Sequence, residues 1–286
     1  MKTIITGAGG LVGGVLSRRL ARAGRVLALL RADLDVTDAG AVGRLINSER
    51  PSLVVNCAVL GVDECERDPA AARAVNVEAP RALARAAADA GATFLHFGTN
   101  YVFGGEGERH YTEEDEPRPS SVYGRTKAEG ERAALEANPR TLVVRTSWVF
   151  GAGKGSFLST AHRELRAGRR VRAIRDTWAS VTYVEDLASR VEEILEHGGR
   201  GLFHVVNEGV CTYEEFAREA ARLAGLGERE AATLVETVTE AEMRRPAPRP
   251  RYTPLRSLAA ERLGLAPCAT GARRWPTTSG VDSLIH

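Results

Sequence analysis

The first half of the chain alternates short apolar runs with stretches of helical period. Ile4-Ile5, Val26-Leu27-Ala28-Leu29-Leu30, Leu53-Val54-Val55, Thr93-Phe94-Leu95-His96-Phe97 and Leu142-Val143-Val144 lack the strict alternation of a one-sided sheet. They predict strands buried on both faces. Between them, residues 11–23 set Val12, Leu16 and Leu20 on one stripe, with Gly24 as a stop. Asp38 caps a helix carrying Val42, Leu45 and Ile46 that ends before Pro51, and an Ala-rich helix runs to Gly91. Strands alternating with helices of this length predict an α/β fold, a doubly wound parallel sheet of Rossmann type.

The second half is less regular. Helices are predicted over 156–167 and 183–197, with short strands at 171–174 and 202–206. An amphipathic helix follows Tyr213. The Pro- and Arg-rich stretch from Arg244 to Pro254 reads as an extended surface segment, because each proline biases its neighbour away from helix. The acidic run Glu113-Glu114-Asp115-Glu116 reads as a solvated loop before Pro117.

Composition narrows the function. The 286 residues carry 39 basic and 37 acidic side chains, a net charge of +2, with the arginines scattered among acids. This excludes a dedicated nucleic-acid surface. Cys57, Cys65, Cys211 and Cys268 form no close pair, and the six histidines give no metal-ligand spacing, so no metal is expected. Cys57, at the end of an apolar run, reads as a small hydrophobe. The N-terminus runs straight into a strand, which predicts no signal peptide, and no apolar stretch reaches membrane-spanning length. The expected compartment is the cytoplasm.

The segment Thr6-Gly7-Ala8-Gly9-Gly10-Leu11-Val12-Gly13 follows the first strand and opens a helix. Gly7 permits the tight turn, Gly10 lets the backbone approach a pyrophosphate, and Gly13 lets the helix pack on the sheet. Free amides and the positive end of the helix then face the phosphates. After the second strand, Arg31 either pairs with the 2′-phosphate of NADP or points to solvent. NADP(H) is therefore favoured and NAD(H) remains open. Asp35 lies where an adenine amino group would sit, and Asp38 serves as a helix cap.

A second motif, Tyr123-Gly124-Arg125-Thr126-Lys127, begins a helical pattern and places Tyr123 and Lys127 one turn apart on one face. An ammonium near a phenol draws its pKa down toward the working range of an acid–base group. Thr99, after the fourth strand, puts a hydroxyl at the sheet edge where ligands bind in such folds, either to hold a carbonyl oxygen or to cap the next loop.

Together the glycine turn, Asn56-Cys57-Ala58, Thr99 and Tyr-x-x-x-Lys resemble the extended short-chain dehydrogenase/reductase family. Within it the chain is similar to the dTDP-4-dehydrorhamnose reductases, through residues 98–104, residues 144–151, Val75-Asn76 and Arg249-Pro250-Arg251-Tyr252-Thr253. The resemblance implies a nucleotide-sugar substrate reduced at a ketone on C4. It implies Thr99, Tyr123 and Lys127 as the catalytic set. Gly7, Gly10, Leu11, Val12, Gly13, Arg31, Asp35, Asn56, Cys57 and Ala58, with Tyr123 and Lys127, would hold the cofactor. Val62, Asp63, Asn100, Tyr101 and Trp148 would meet the substrate, with Val62 and Asp63 in a loop; ordinary core packing is the other reading of Trp148.

The resemblance further implies interleaved lobes: 1–149 with 182–207 for the dinucleotide, and 150–181 with 208–286 as a smaller α+β substrate lobe. The chain would act as a monomer or homodimer. It departs from the family at Asp176-Thr177-Trp178-Ala179-Ser180-Val181-Thr182, where Val181 replaces a proline, and in the stretch 268–286. Two alternatives stay open: a nucleotide-sugar epimerase with tightly held NAD, and a non-catalytic subunit resembling methionine adenosyltransferase β. Asn100, standing where an acid would be needed, disfavours a dehydratase.

Overall fold

The computed structural model describes residues 1–152 and 156–270. The remainder of the stretch that departs from the family, residues 271–286, lies outside them. The chain runs β1 (Lys2–Thr6), α1 (Leu11–Leu20), β2 (Arg25–Leu29), α2 (Ala39–Glu49), β3 (Leu53–Asn56), α3 (Val62–Arg67) and α4 (Pro69–Arg73). A π-helical turn, Ala74–Glu78, leads into α5 (Ala79–Asp89), then β4 (Thr93–Thr99), α6 (Val122–Ala137), β5 (Thr141–Thr146) and β6 (Val149–Phe150). After these come α7 (Phe157–Arg166), β7 (Val171–Ile174), β8 (Trp178–Ala179), β9 (Thr182–Tyr183), α8 (Val184–Glu196), β10 (Gly201–His204), β11 (Asn207–Glu208) and β12 (Cys211–Thr212). The described part closes with α9 (Tyr213–Leu223), α10 (Glu228–Leu234), β13 (Val235–Val238), α11 (Leu258–Arg262) and β14 (Cys268–Thr270).

Six strands form one parallel sheet in the order β10-β5-β4-β3-β1-β2. Helices cover both faces, which explains why β3 and β5 are buried along their whole length. On one face Leu16 and Leu20 of α1 and Leu187, Val191 and Ile194 of α8 pack on Ile5, Val55 and Val144. On the other, Val42 and Ile46 of α2 and Leu83 and Ala87 of α5 pack on Ile4, Val54 and Phe94. Each fully buried Leu or Ile contributes about 1.5–3 kcal/mol. The predicted cap holds: the Asp38 carboxylate accepts from the Ala41 amide at 2.9 Å. Strand order reverses between β1 and β3, and the crevice beyond their carboxyl ends is where such sheets receive ligands.

After β5 the chain leaves this sheet. Helices α7 and α9 and strands β7 and β13 build a separate apolar cluster around Leu165, Ala173, Ala217 and Val235. Helix α8 and β10 return to the large sheet. Ala259, Leu263 and Leu265 also pack against the large core, although the sequence division groups them with the smaller lobe.

Two surface expectations are corrected. Residues 244–254 are irregular, as their prolines require, but they are not a surface segment: Ala247, Pro250, Thr253 and Pro254 are buried. The Trp178 amide donates to the Arg251 carbonyl at 2.7 Å and the Thr253 amide to the Trp178 carbonyl at 2.9 Å, so the segment adds itself to β8. The acidic run is also structural. Glu113 accepts from the His204 amide (2.7 Å), the Ser257 hydroxyl (2.6 Å) and the Leu258 amide (2.9 Å), which clasps the start of α11 to β10.

Candidate active site

The site is built at the carboxyl edge of the sheet, from the ends of β1, β3 and β4 and the start of α6. The turn after β1 requires glycine twice. Gly7 sits at φ +69°, and a Cβ there would lie 2.6 Å from the Ala58 amide nitrogen. A Cβ on Gly13 would fall on the Gly7 carbonyl oxygen. The helix start at Gly10 carries no capping side chain, which leaves the first-turn amides of Leu11 and Val12 available to an anion. Arg31 and Asp35 are exposed beyond β2, and Asp35 accepts from the Thr37 amide (2.9 Å) and hydroxyl (2.7 Å). Leu30 and Val59, each about half exposed at 51% and 50%, lie after β2 and β3 and offer apolar surface for a flat ring.

Beneath the turn, Cys57 and Ala58 pack against Gly7, and burial pushes the Cys57 thiol up to about 12, so it stays uncharged. Asn56 points inward. Its Oδ1 accepts from the Thr6 hydroxyl (2.7 Å) and the Ala58 amide (3.1 Å), while its Nδ2 lies 3.2 Å from His96 Nδ1. Both ends of its side-chain amide are thus engaged inside the fold.

Helix α6 opens at Ser121, whose hydroxyl accepts from the Gly124 amide at 3.1 Å, and Glu66 of α3 accepts from the Val122 amide at 2.7 Å. Glycines at 124 and 130 let the helix lie on the Tyr101 and Asn76 carbonyls, where a Cβ would collide. This seating presents Tyr123 to Thr99, whose hydroxyl faces the phenol. The Tyr101 ring meets the Tyr123 ring edge-on, with centroids 5.9 Å apart. Thr99 Oγ1 also accepts from the Tyr101 amide at 3.2 Å, so it both caps the following turn and faces the phenol.

The electrostatics differ from the expectation in one respect. Lys127 does not set the phenol: burial dominates and pushes Tyr123 above its ordinary value, with the Thr99 hydroxyl pulling the other way. Lys127 itself is buried, and burial pushes it down to about 8 against the pull of Glu131. Its Nζ donates to the Phe97 carbonyl at 2.6 Å and lies 3.2 Å from His96 Nε2.

On the other side of the cleft, Val62 and Asp63 open helix α3, where a loop was expected. Arg249 grips Asp63 through two hydrogen bonds of 2.6 and 2.8 Å, which hold the carboxyl down to about 2. Asn100 donates to the Thr253 hydroxyl at 2.7 Å. Trp148, at φ +40°, stacks on Tyr213 with centroids 3.8 Å apart, and both join a cluster with Phe150 and Val181. The Trp148 ring is thus packed on Tyr213 but only half-buried.

Residues 1–274 match the RmlD substrate binding domain family. The chain belongs to this family. Among relatives of this RmlD-family chain, a dTDP-4-dehydrorhamnose reductase of Streptomyces griseus is 39% identical over 272 residues, 92% of this chain and 88% of that one. The crystal structure of a dTDP-4-dehydrorhamnose reductase from Clostridium acetobutylicum superposes with TM-score 0.90 at 33% identity over the full length of both chains. That of the Bacillus anthracis dTDP-4-dehydrorhamnose reductase in complex with NADP gives TM-score 0.89 at 27% identity, covering 99% of this chain and 98% of that one.

Sequence reasoning about the RmlD-family chain missed His96, which lies against Lys127, and Tyr213, which stacks on Trp148. His96 stood inside an apolar run and carried no spacing signal. Arg249 and Thr253 were legible only as a motif, since their partners Asp63 and Asn100 lie more than 150 positions away. Among the described residues no cluster of three or more potential ligands could hold a metal ion, and no helix is long and apolar enough to cross a membrane.

Proposed function

We propose that this chain reduces the C4 ketone of dTDP-4-dehydrorhamnose, or of a closely related nucleotide-activated 4-keto sugar, with NADPH. The observation that carries the reading is Tyr123 facing Thr99, with Lys127 buried one turn further along α6, beside a turn in which Gly7 and Gly13 leave no room for a Cβ. The names of the relatives support the substrate class and the choice of NADP.

The residues fit a dinucleotide. Leu11, Val12 and the cleared turn at Gly7, Gly10 and Gly13 would take the pyrophosphate, and Cys57 and Ala58 form its floor. Arg31, exposed beyond β2, would meet the 2′-phosphate, Asp35 would face the adenine, and Asn56 would act through the floor it anchors. The bound cofactor supplies the hydride.

The chain supplies the rest. Thr99 and Tyr123 face one another, and their two hydroxyls would hold the substrate carbonyl oxygen between them. Burial keeps the phenol protonated at neutral pH, so it is ready to donate as negative charge builds on that oxygen. The same burial would oppose the phenolate, and the cation of Lys127 beneath the site would offset that cost as the proton leaves. Asn100, Tyr101 and Trp148 would border the sugar, together with the α3 start at Val62 and Asp63. The strand ends carry the cofactor side, and the region around α7 and α9 carries the sugar side, as two interleaved lobes. The free thiols of Cys57, Cys65 and Cys211 support a reducing, cytoplasmic setting.

Neither the epimerase nor the regulatory-subunit alternative gains support from a specific observation. Tyr123→Phe tests the reading. Activity followed by NADPH absorbance with dTDP-4-dehydrorhamnose should fall by about 10²–10⁴-fold, with NADPH affinity retained. Full turnover in that variant would overturn the scheme.

A further inference from the structure

Four buried polar groups form an unbroken line under the site: Thr6, Asn56, His96 and Lys127. The direction of each hydrogen bond can be worked out from one fixed point. The Ala58 backbone amide can only donate, so the Asn56 atom facing it at 3.1 Å must be the carbonyl oxygen. That places the Asn56 NH₂ toward His96 Nδ1 at 3.2 Å, and Nδ1 must accept. His96 is 1% exposed, and burial holds it uncharged, well below the ordinary histidine range. A neutral imidazole that accepts at Nδ1 carries its proton on Nε2. That N–H faces Lys127 Nζ at 3.2 Å.

An ammonium has no lone pair and meets this N–H as donor against donor; an uncharged amine accepts from it. We propose that His96 is a positioning residue for the reductase: locked by Asn56 in the Nε2–H tautomer, it favours the uncharged form of Lys127 and so keeps the lysine switchable near the working pH. This rests on the reading of Lys127 given above. The other groups facing Lys127 are accounted for. Glu131, one turn along α6, pulls toward the charged form but is itself paired with Arg145. Cys57 beyond β3 and Cys65 on α3 are both pushed up by burial, to about 12 and about 11, and stay neutral. The Phe97 carbonyl accepts from either form of the lysine.

The test uses the full chain and two measurements that need no turnover. The chain has three lysines, Lys2, Lys127 and Lys154, and six histidines, so lysine and imidazole ¹⁵N signals are assignable by single substitutions. In the unsubstituted protein, ¹⁵N spectra should show His96 protonated at Nε2 and not at Nδ1; the opposite tautomer overturns the proposal without any variant having to fold. Asn56→Asp should let Nδ1–H donate, free Nε2 to accept, and raise the Lys127 titration. His96→Leu should also raise it, by up to about one unit, the scale of one net hydrogen bond. An unchanged or lowered titration in His96→Leu refutes the proposal, because added apolar packing alone would push it down. The limb of the pH–kcat/KM profile that reports Lys127 should move with the NMR titration. Absence of any NADPH oxidation in the unsubstituted protein would instead refute the reductase reading, while the tautomer and titration remain measurable.

Discussion

Glu131 and Arg145 form a buried ion pair at the end of the stripe of α6 that carries Tyr123 and Lys127. The Arg145 Nε and Nη2 reach the same carboxylate oxygen at 2.9 and 2.8 Å, with the side chains 5% and 4% exposed. Tyr123, Lys127 and Glu131 follow at four-residue steps. Gly98 makes room for it: a Cβ there would run into Glu131 Oε1 and lie 2.8 Å from Arg145 Cγ. Removing one partner leaves a buried charge. Arg145→Met should cost about 3–5 kcal/mol in urea denaturation, and pairing it with Glu131→Leu should recover a large part of that loss.

The glycine turn gives a separable effect on cofactor. Gly7→Ala forces a side chain into the left-handed region and against the Ala58 amide. The strain is about 1–3 kcal/mol. NADPH affinity, measured by fluorescence titration, should weaken by about tenfold or more, together with a lower melting temperature. Unchanged affinity would show that the turn is not the phosphate cradle.

The Asp63–Arg249 pair ties the 244–254 segment to α3, and the Ala247 amide adds a third bond to Asp63 at 3.2 Å. Asp63→Asn should loosen the segment, raise KM for the sugar nucleotide more than it lowers kcat, and speed proteolytic cleavage near Arg244 and Arg245. The sign with pH follows from the depressed carboxyl. Its folded value of about 2 lies below the ordinary 3.8, so its contribution is present above 3.8 and disappears as pH falls through about 2.

Acid should destabilise the fold earlier than that. His204 is buried, with Nδ1 donating to the Tyr111 and Arg256 carbonyls at 3.2 and 3.1 Å, and burial lowers its pKa from 6.5. The unfolded chain then binds more protons than the native one below pH 6.5, so stability is complete above 6.5 and falls as pH drops toward the folded value. His96 acts in the same direction. The melting temperature should decline on acidification from pH 6.5, and His204→Gln should flatten that slope. A slope identical to that of the unsubstituted protein would remove His204 from the account.

Local pattern already contained the five strands from β1 to β5, the longer helices α1, α2, α5 and the start of α6 between them, the Gly7–Gly13 turn and the Tyr123/Lys127 step. Each depends on contacts within a few residues: apolar runs for strands buried on both faces, Asp38 for a cap, glycine where no Cβ fits. Helices α3 and α4 were hidden because they are short, and the π turn before α5 interrupts the alanine-rich period.

What only the tertiary structure decided is which distant groups share an environment. Burial is a property of the assembled fold, and it turned the expected effect of Lys127 on Tyr123 into a phenol held protonated by its surroundings. Folding also drew the supposed surface segment at 244–254 onto the site, through Arg249 to Asp63 and Asn100 to Thr253. The direction of the hydrogen bonds through His96 was set by a backbone amide 38 positions away, at Ala58. Charge states and hydrogen-bond directions are collective, whereas turns and periodicities are local, and one-dimensional pattern records only the local kind.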